Sequence, residues 1–361
     1  MTSKERVLRT LRHEEPDRPP VYSSLTPQIA ERLASHLQLP LEPPFDSLFS
    51  NRISWPALKL RLGDDLVAVA PCYPSNRPVR KNEEGLLINE WGMTFKDAGL
   101  YWEFYKFPLA HAESVNDILS YSFPDPHAPG RYDAAIELIR KYGKEYAIIG
   151  ELETTIFETC WYLVGLEKFL MDLMIEPPYL NVLLDTVMNI NMEMGKELIR
   201  LGVDIIWCGD DFGSQTGCIM DPAIWRKHFK PRIQHIFSTF KKLNPDIKIA
   251  WHSCGSIVPL IPDFIEIGLD ILNPLQPLAK GMDPVFLKKT YGDKLSFFGA
   301  ICVQDLLPNG SPEKIKKEVK RIASILGKGG GYILAPAHNI QPDTPVENVL
   351  AMYEAVKEMG N

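Results

Sequence analysis

Short runs of apolar and β-branched residues recur along the chain, separated by longer stretches in which apolar positions return every three or four residues. Eight such runs stand out: Pro20 to Ser24, Leu66 to Ala70, Tyr146 to Gly150, Val203 to Cys208, Ile247 to His252, Leu269 to Asn273, Leu295 to Ala300 and Gly331 to Ala335. Most are apolar throughout rather than alternating, which predicts strands of a parallel sheet covered on both faces. Eight strands linked by helical stretches is the number that closes a (β/α)8 TIM barrel, so the expected fold class is α/β. Asn181 to Leu201 and Asp221 to Lys242 read as amphipathic helices. The second opens on Asp-Pro, a cap followed by a first-turn proline, and Pro231 predicts a kink in it. Asn82 to Phe107 breaks the pattern: Leu86, Ile88 and Trp91 alternate, a glycine-containing turn follows, and then come Tyr101, Trp102 and Phe104. That stretch predicts an inserted β-hairpin over one barrel end, either a packed cover or a wall of a substrate pocket. The expected organisation is one barrel domain over residues 1–361 with an insert at about 82–107.

A length of 361 residues is compatible with that reading, because such barrels often exceed the usual domain size as one unit. With 45% hydrophobic and 24% charged residues the chain can bury a large core. The formal net charge of -7 argues against a nucleic-acid partner, which calls for a concentrated basic face. No stretch approaches the roughly 18 apolar residues of a membrane-spanning helix. The N-terminus mixes both charges and lacks a secretory leader pattern, so a cytoplasmic location is expected. Six cysteines scattered without framework spacing predict reduced thiols, any special one being a ligand or a reactive group.

Barrel enzymes take their working residues from the C-terminal ends of strands, and the residues there are chemically rich. The third run ends in Glu151 and Glu153, the fourth in Trp207, Cys208, Asp210 and Asp211 with Gln215 beyond, the fifth in His252 and Cys254, the sixth near Gln276, and the eighth is followed by His338. The sharpest signal is Trp251-His252-Ser253-Cys254-Gly255. Residues two apart on a strand point the same way, so His252 and Cys254 can grip one metal ion, and zinc accepts imidazole and thiolate together. Taken alone, a buried structural cysteine beside a hydrogen-bonded histidine is the commoner reason for such a pair. His338, in Ala335-Pro336-Ala337-His338-Asn339, is the third candidate ligand; three protein ligands with an open position is the catalytic zinc pattern. Its alternative role is a base or a substrate contact without metal. Of Asp210 and Asp211, one is expected to cap a turn and the other to do chemistry. Glu151 is a further catalytic candidate, and Gln215, Gln276, Trp207 and Tyr22 are candidate substrate contacts.

The chain resembles the uroporphyrinogen decarboxylase superfamily over nearly its whole length. The resemblance is carried by Lys4-Glu5-Arg6-Val7, Pro16-Asp17-Arg18-Pro19, Phe157 to Leu170 with Gly165, Asp210-Asp211, His252-Ser253-Cys254-Gly255, Asn273-Pro274-Leu275-Gln276-Pro277, Ala335-Pro336-Ala337-His338 and Pro345-Val346-Glu347-Asn348. It implies a barrel with a deep polar mouth. Decarboxylases of the superfamily hold their substrate's propionates on an arginine-rich segment near the first strand, where this chain has Val21-Tyr22-Ser23-Ser24-Leu25-Thr26-Pro27 and no arginine. The better resemblance is to the zinc-dependent corrinoid-linked methyltransferases, which include methylcobamide:coenzyme M methyltransferases and methyl-ether demethylases. Their His-x-Cys pair corresponds to His252 and Cys254; their third ligand is usually cysteine, where this chain offers His338. This implies a zinc-dependent methyltransferase moving methyl between a small methoxylated substrate, aromatic or not, and a corrinoid (cobalamin). No Asp-x-His-x-x-Gly motif occurs, so the corrinoid is expected on a partner protein; a homodimer is left open. The alternatives are decarboxylation of a small acid or a porphyrinogen, with Arg52, Arg77 and Arg80 as early anchors, a methylcobamide:thiol methyltransferase, and a scaffold subunit without chemistry.

Overall fold

The computed structural model describes residues 1–45, 52–99 and 102–360. Strand β1 (Leu66–Val69) leads out into an insert whose short strands, β2 (Arg80–Lys81), β3 (Leu87–Ile88), β4 (Thr94–Asp97) and β5 (Trp102–Lys106), form an antiparallel meander. The chain then returns to the parallel sheet with β6 (Ala147–Glu151), β7 (Ile205–Gly209), β8 (Lys248–His252), β9 (Ile271–Leu275), β10 (Ser296–Ile301) and β11 (Tyr332–Pro336). These pair in the order β1-β6-β7-β8-β9-β10-β11, each beside its sequence neighbour within the sheet.

The first predicted strand closes the ring as an extended stave rather than a long ladder. Tyr22 N–H donates to Leu334 O and Leu334 N–H to Pro20 O on one side, and Asp65 N–H donates to Val21 O on the other. Consecutive prolines at 19 and 20 offer no N–H, and the carboxylates of Asp65 and Asp64 take the N–H groups of Val21 and Ser23, so side chains substitute for part of the ladder. All eight predicted strands are thus found within about two residues of where the pattern put them, the usual uncertainty of such boundaries.

Along each strand alternate side chains face opposite ways. Leu66, Ala68, Ala147, Ile149, Ile205, Trp207, Ala250, Ile271, Phe298, Ile333 and Ala335 fill the barrel interior, while Val67, Ile148, Ile206, Ile249 and Leu272 belong to the larger layer packed under the helices. Small alanines stacked among Trp207 and Phe298 leave room at the mouth for polar side chains.

Two elements differ in detail from expectation. The insert's hairpin is the β4–β5 pair, with the Phe95 and Phe104 rings 4.9 Å apart, but two further strands extend it; Tyr101 lies outside the described residues. The stretch expected as one kinked helix is two helices, Pro222–His228 and Lys230–Leu243, meeting at Phe229. Pro231 lacks the N–H that a continuous helix would use there, so it sits in the first turn of the second helix instead. Among the described residues no helix is long and apolar enough to cross a membrane.

Candidate metal centre at the barrel mouth

Strand β8 delivers His252 to the mouth, 2% exposed, and the chain turns at once through Ser253 to Cys254 and Gly255. The turn needs glycine: Gly255 has φ +76°, and a Cβ there would come within 2.5 Å of Ser214 O. Asp211 Oδ1 accepts the Cys254 N–H at 2.7 Å, and Gln276 Oε1 accepts the Gly255 N–H at 2.8 Å. Two side chains from neighbouring strand ends therefore pin the loop that carries the thiol.

The orientation of the His252 ring follows from its partner. Asn273 Nδ2 donates to Phe298 O at 3.0 Å, which turns its Oδ1 toward His252 Nδ1, 2.6 Å away. Nδ1 is then the nitrogen that donates to this oxygen, with Arg52 Nη2 3.4 Å from it on another side, and Nε2 is the nitrogen turned toward the cluster. That nitrogen faces Cys254 Sγ at 3.3 Å, Asp211 Oδ1 at 3.6 Å and Glu153 Oε1 at 3.7 Å. His338 comes in from beyond β11, its ring centroid 6.2 Å from that of His252. One donor atom each of His252, Cys254 and His338 lies within 4.8 Å of the others.

This donor set fits a divalent cation. Burial, reinforced by His252 and Arg52, lowers His338 to about 4, so its imidazole is neutral and able to ligate at neutral pH. Burial together with the charges of Asp211 and Glu153 holds the Cys254 thiol well above its usual range, the sign of a negative field that a cation would relieve.

Around the cluster runs a shell of paired charges. Arg52 Nη1 bonds Glu153 Oε2 and reaches Glu151 Oε1 at 3.3 Å, and the guanidinium lies 5.1 Å from the Trp207 ring centroid. Trp207 Nε1 donates to Glu153 Oε2 at 3.0 Å, and its ring stacks near that of His252. Burial pushes Glu151 up to about 8, whereas against the same burial Arg52 and His252 bring Glu153 down to about 2. At neutral pH one glutamate of the pair is protonated and the other charged.

The remaining candidates divide clearly. Tyr22 lines a small cavity with Arg52, Trp207, His252, Asn273, Phe298 and His338, its hydroxyl donating to Arg52 O. Asp210 is fully buried and accepts the N–H groups of Thr155, Ile156 and Glu158, capping the helix Phe157–Val164. Gln215 is exposed on the loop before Cys218, its backbone carbonyl accepting the Lys280 N–H. Gln276 holds the Gly255 loop, as described. The sequence places Glu153 at a strand end and Asn273 in the Asn-Pro-Leu-Gln run of the family resemblance, but assigns neither a role at the site. Position after a strand was the available signal for both.

Comparison with known proteins identifies the family and the fold. The family model for uroporphyrinogen decarboxylase (URO-D) matches residues 106–359, most of the chain. The protein belongs to the uroporphyrinogen decarboxylase family. Among curated relatives, methylcobamide:CoM methyltransferase MtaA of Methanosarcina barkeri is 25% identical over 225 residues, 62% of each chain. Methylated-thiol--coenzyme M methyltransferase of Methanosarcina mazei is 24% identical over 62% of this chain and 56% of its own length. Uroporphyrinogen decarboxylase of Coxiella burnetii is 25% identical over 51% of this chain and 49% of its own. The matches thus span less than two thirds of these relatives. A solved methyltransferase from Methanosarcina mazei superposes with a TM-score of 0.68 at 22% identity, covering 99% of both chains, and shares the fold. Within this family member the polar mouth and the His252/Cys254/His338 cluster coincide.

Proposed function

We propose that the protein is a zinc-dependent methyltransferase that takes a methyl group from a small methoxylated molecule and passes it to a corrinoid presented by a partner protein. The observation that carries this reading is the convergence of His252, Cys254 and His338, three donors within 4.8 Å, at the barrel mouth. The similarity to methylcobamide:CoM methyltransferase and methylated-thiol--coenzyme M methyltransferase supports it.

His252, Cys254 and His338 would hold zinc, which supplies Lewis acidity toward a substrate oxygen. One thiolate and two neutral imidazoles leave a divalent ion with a net positive charge, whereas a second thiolate would cancel it. That difference favours polarising an ether oxygen over keeping a thiol electron-rich. The protein's own residues prepare the site. Asn273 orients the His252 ring through Nδ1, Asp211 anchors the Cys254 amide, and Gln276 anchors the amide after it. Trp207 and Tyr22 wall the site with apolar rings, which excludes water from the reacting centre. Asp210 supports the neighbouring helix rather than the cluster.

Decarboxylation is disfavoured by the same geometry. Arg52 is the early arginine that does reach the mouth, and its guanidinium is engaged by Glu151 and Glu153 instead of standing ready for a substrate carboxylate. The test is spectroscopic. The full chain is mixed with zinc, cob(I)alamin and a panel of methoxylated compounds, and conversion to methylcob(III)alamin is followed by absorbance. Methyl formation from an ether supports the reading. Methylation of a thiol by methylcobalamin without ether cleavage would move the assignment to thiol methyl transfer, and carbon dioxide release from a porphyrinogen would move it to decarboxylation.

A further inference from the structure

A cavity of about 110 Å³ lies beside the His252/Cys254/His338 cluster, between the insert and the barrel end. Ala70, Trp91, Met93, Leu152 and Met194 supply its apolar wall, Trp91 and Met93 coming from the insert. Glu153 joins the two places, lining the cavity while its Oε1 stands 3.7 Å from His252 Nε2. A protein cavity on the order of 150 Å³ accepts a whole benzene ring, so this smaller one takes the apolar edge of a ring or a short alkyl chain, with the rest of the molecule emerging toward the cluster.

The charged groups in the wall are already matched. Arg131 and Glu90 form a two-pronged ion pair with both contacts at 2.7 Å, and two further Arg131 donors go to Asp125 O and Cys72 O. Glu153 and Glu151 share Arg52. Thr159 and Asn191 are spent on backbone carbonyls of residues 154 and 155. A carboxylate, sulfonate or ammonium entering here would lose its water and gain no fresh counter-charge, which is unfavourable for any desolvated ion.

One polar atom stands apart: Glu151 Oε2 is buried with no hydrogen-bond partner among the described residues. Burial pushes this carboxyl up to about 8, so it retains its proton at neutral pH and can donate to an oxygen.

We propose that this cavity receives the uncharged body of the substrate, a methoxylated ring or alkyl ether free of ionised groups, and that Glu151 Oε2 hydrogen bonds to the substrate's oxygen. The methoxy group in this statement rests on the methyl-transfer reading; the neutrality of the ligand rests on the cavity wall. Isothermal titration of the full chain with guaiacol and with p-anisate tests it, using wild type, Ala70→Phe, Glu151→Gln and Glu151→Leu, each checked for an unchanged far-ultraviolet spectrum and a cooperative melt. Guaiacol should bind saturably and p-anisate at least about tenfold more weakly. Ala70→Phe, which fills the cavity, and Glu151→Leu, which removes the donor, should each weaken guaiacol by about tenfold, while Glu151→Gln, which keeps a neutral donor, should stay within about threefold. If Ala70→Phe does not fold, the Leu and Gln variants carry the same decision. Equal or tighter binding of p-anisate, no saturable guaiacol binding, or indifference to both Ala70→Phe and Glu151→Leu would overturn the assignment. Guaiacol binding that responds to the variants without methyl transfer to cob(I)alamin would remove the methyl-transfer reading and leave the cavity assignment standing; methyl transfer from ionised ethers that ignores the variants would do the reverse.

Discussion

Asn273 Oδ1 sits 2.6 Å from His252 Nδ1, and because the amide nitrogen of Asn273 is committed to Phe298 O, the orientation of the pair is fixed. This contact decides which histidine nitrogen is available for a ligand. Replacing Asn273 by Leu should lower zinc affinity about 10- to 100-fold, the usual cost of losing a partner that orients a ligand, with little change in the far-ultraviolet spectrum. Competition with a chromophoric chelator gives the affinity directly, and an unchanged value would mean the His252 ring is held by packing alone.

Asp210 and Asp211 are adjacent in sequence and opposed in role. Asp210 is fully buried under three backbone N–H groups, so Asp210→Ala should destabilise the fold by about 2 kcal/mol or more, as a lost cap with orphaned donors does. Asp211 is more than a third exposed, so Asp211→Ala should change stability by less than about 1 kcal/mol while loosening the Cys254 loop and lowering activity about tenfold. Denaturant titration and methyl-transfer rates separate the two; similar stability losses in both would contradict the division.

The Glu90–Arg131 pair ties the insert to the barrel with both side chains almost fully buried. Removing only one partner leaves a buried charge unpaired, and Glu90→Ala should cost about 3–5 kcal/mol, seen as a lower denaturation midpoint. A loss under about 1 kcal/mol would mean that water reaches Arg131 readily.

Glu151 gives a pH signature. Its folded value near 8 lies above that of an unfolded glutamate, so the folded state binds the extra proton and stability falls as pH rises from about 4.5 to about 8, levelling off above. Glu151→Gln abolishes that titration. The melting temperature of the variant relative to wild type should therefore climb steadily over this window, and parallel profiles would show that Glu151 ionises normally in the fold.

The strands and the first two candidate ligands were legible in the chain because both follow from local pattern. Parallel strands buried on two faces are continuous apolar runs, and the residue after each such run lies at the barrel mouth. His252 and Cys254 share a face by simple alternation. Other features depend on contacts between distant segments. Arg52 reaches Glu151 and Glu153 across about a hundred residues of sequence, and nothing near position 52 announces the partner. Asn273 reads as an ordinary turn residue before proline until its amide is seen between Phe298 and His252. The insert was recognisable from its alternation, but its outer strands are two residues each, too short to leave a period. The helix break at Phe229 depended on how Pro231 would be accommodated, as a bend or as a new first turn, which propensity alone does not decide.

Metal content of chelator-free protein, measured by mass spectrometry for wild type, His252→Ala and His338→Ala, bears on everything above. Near-stoichiometric zinc in the wild type, lost in both variants, is the expected result and makes His338 a ligand alongside His252 and Cys254. Wild type that stays free of zinc after supplementation, or His338→Ala that keeps its full complement, would contradict the three-ligand centre on which the proposed methyl transfer depends.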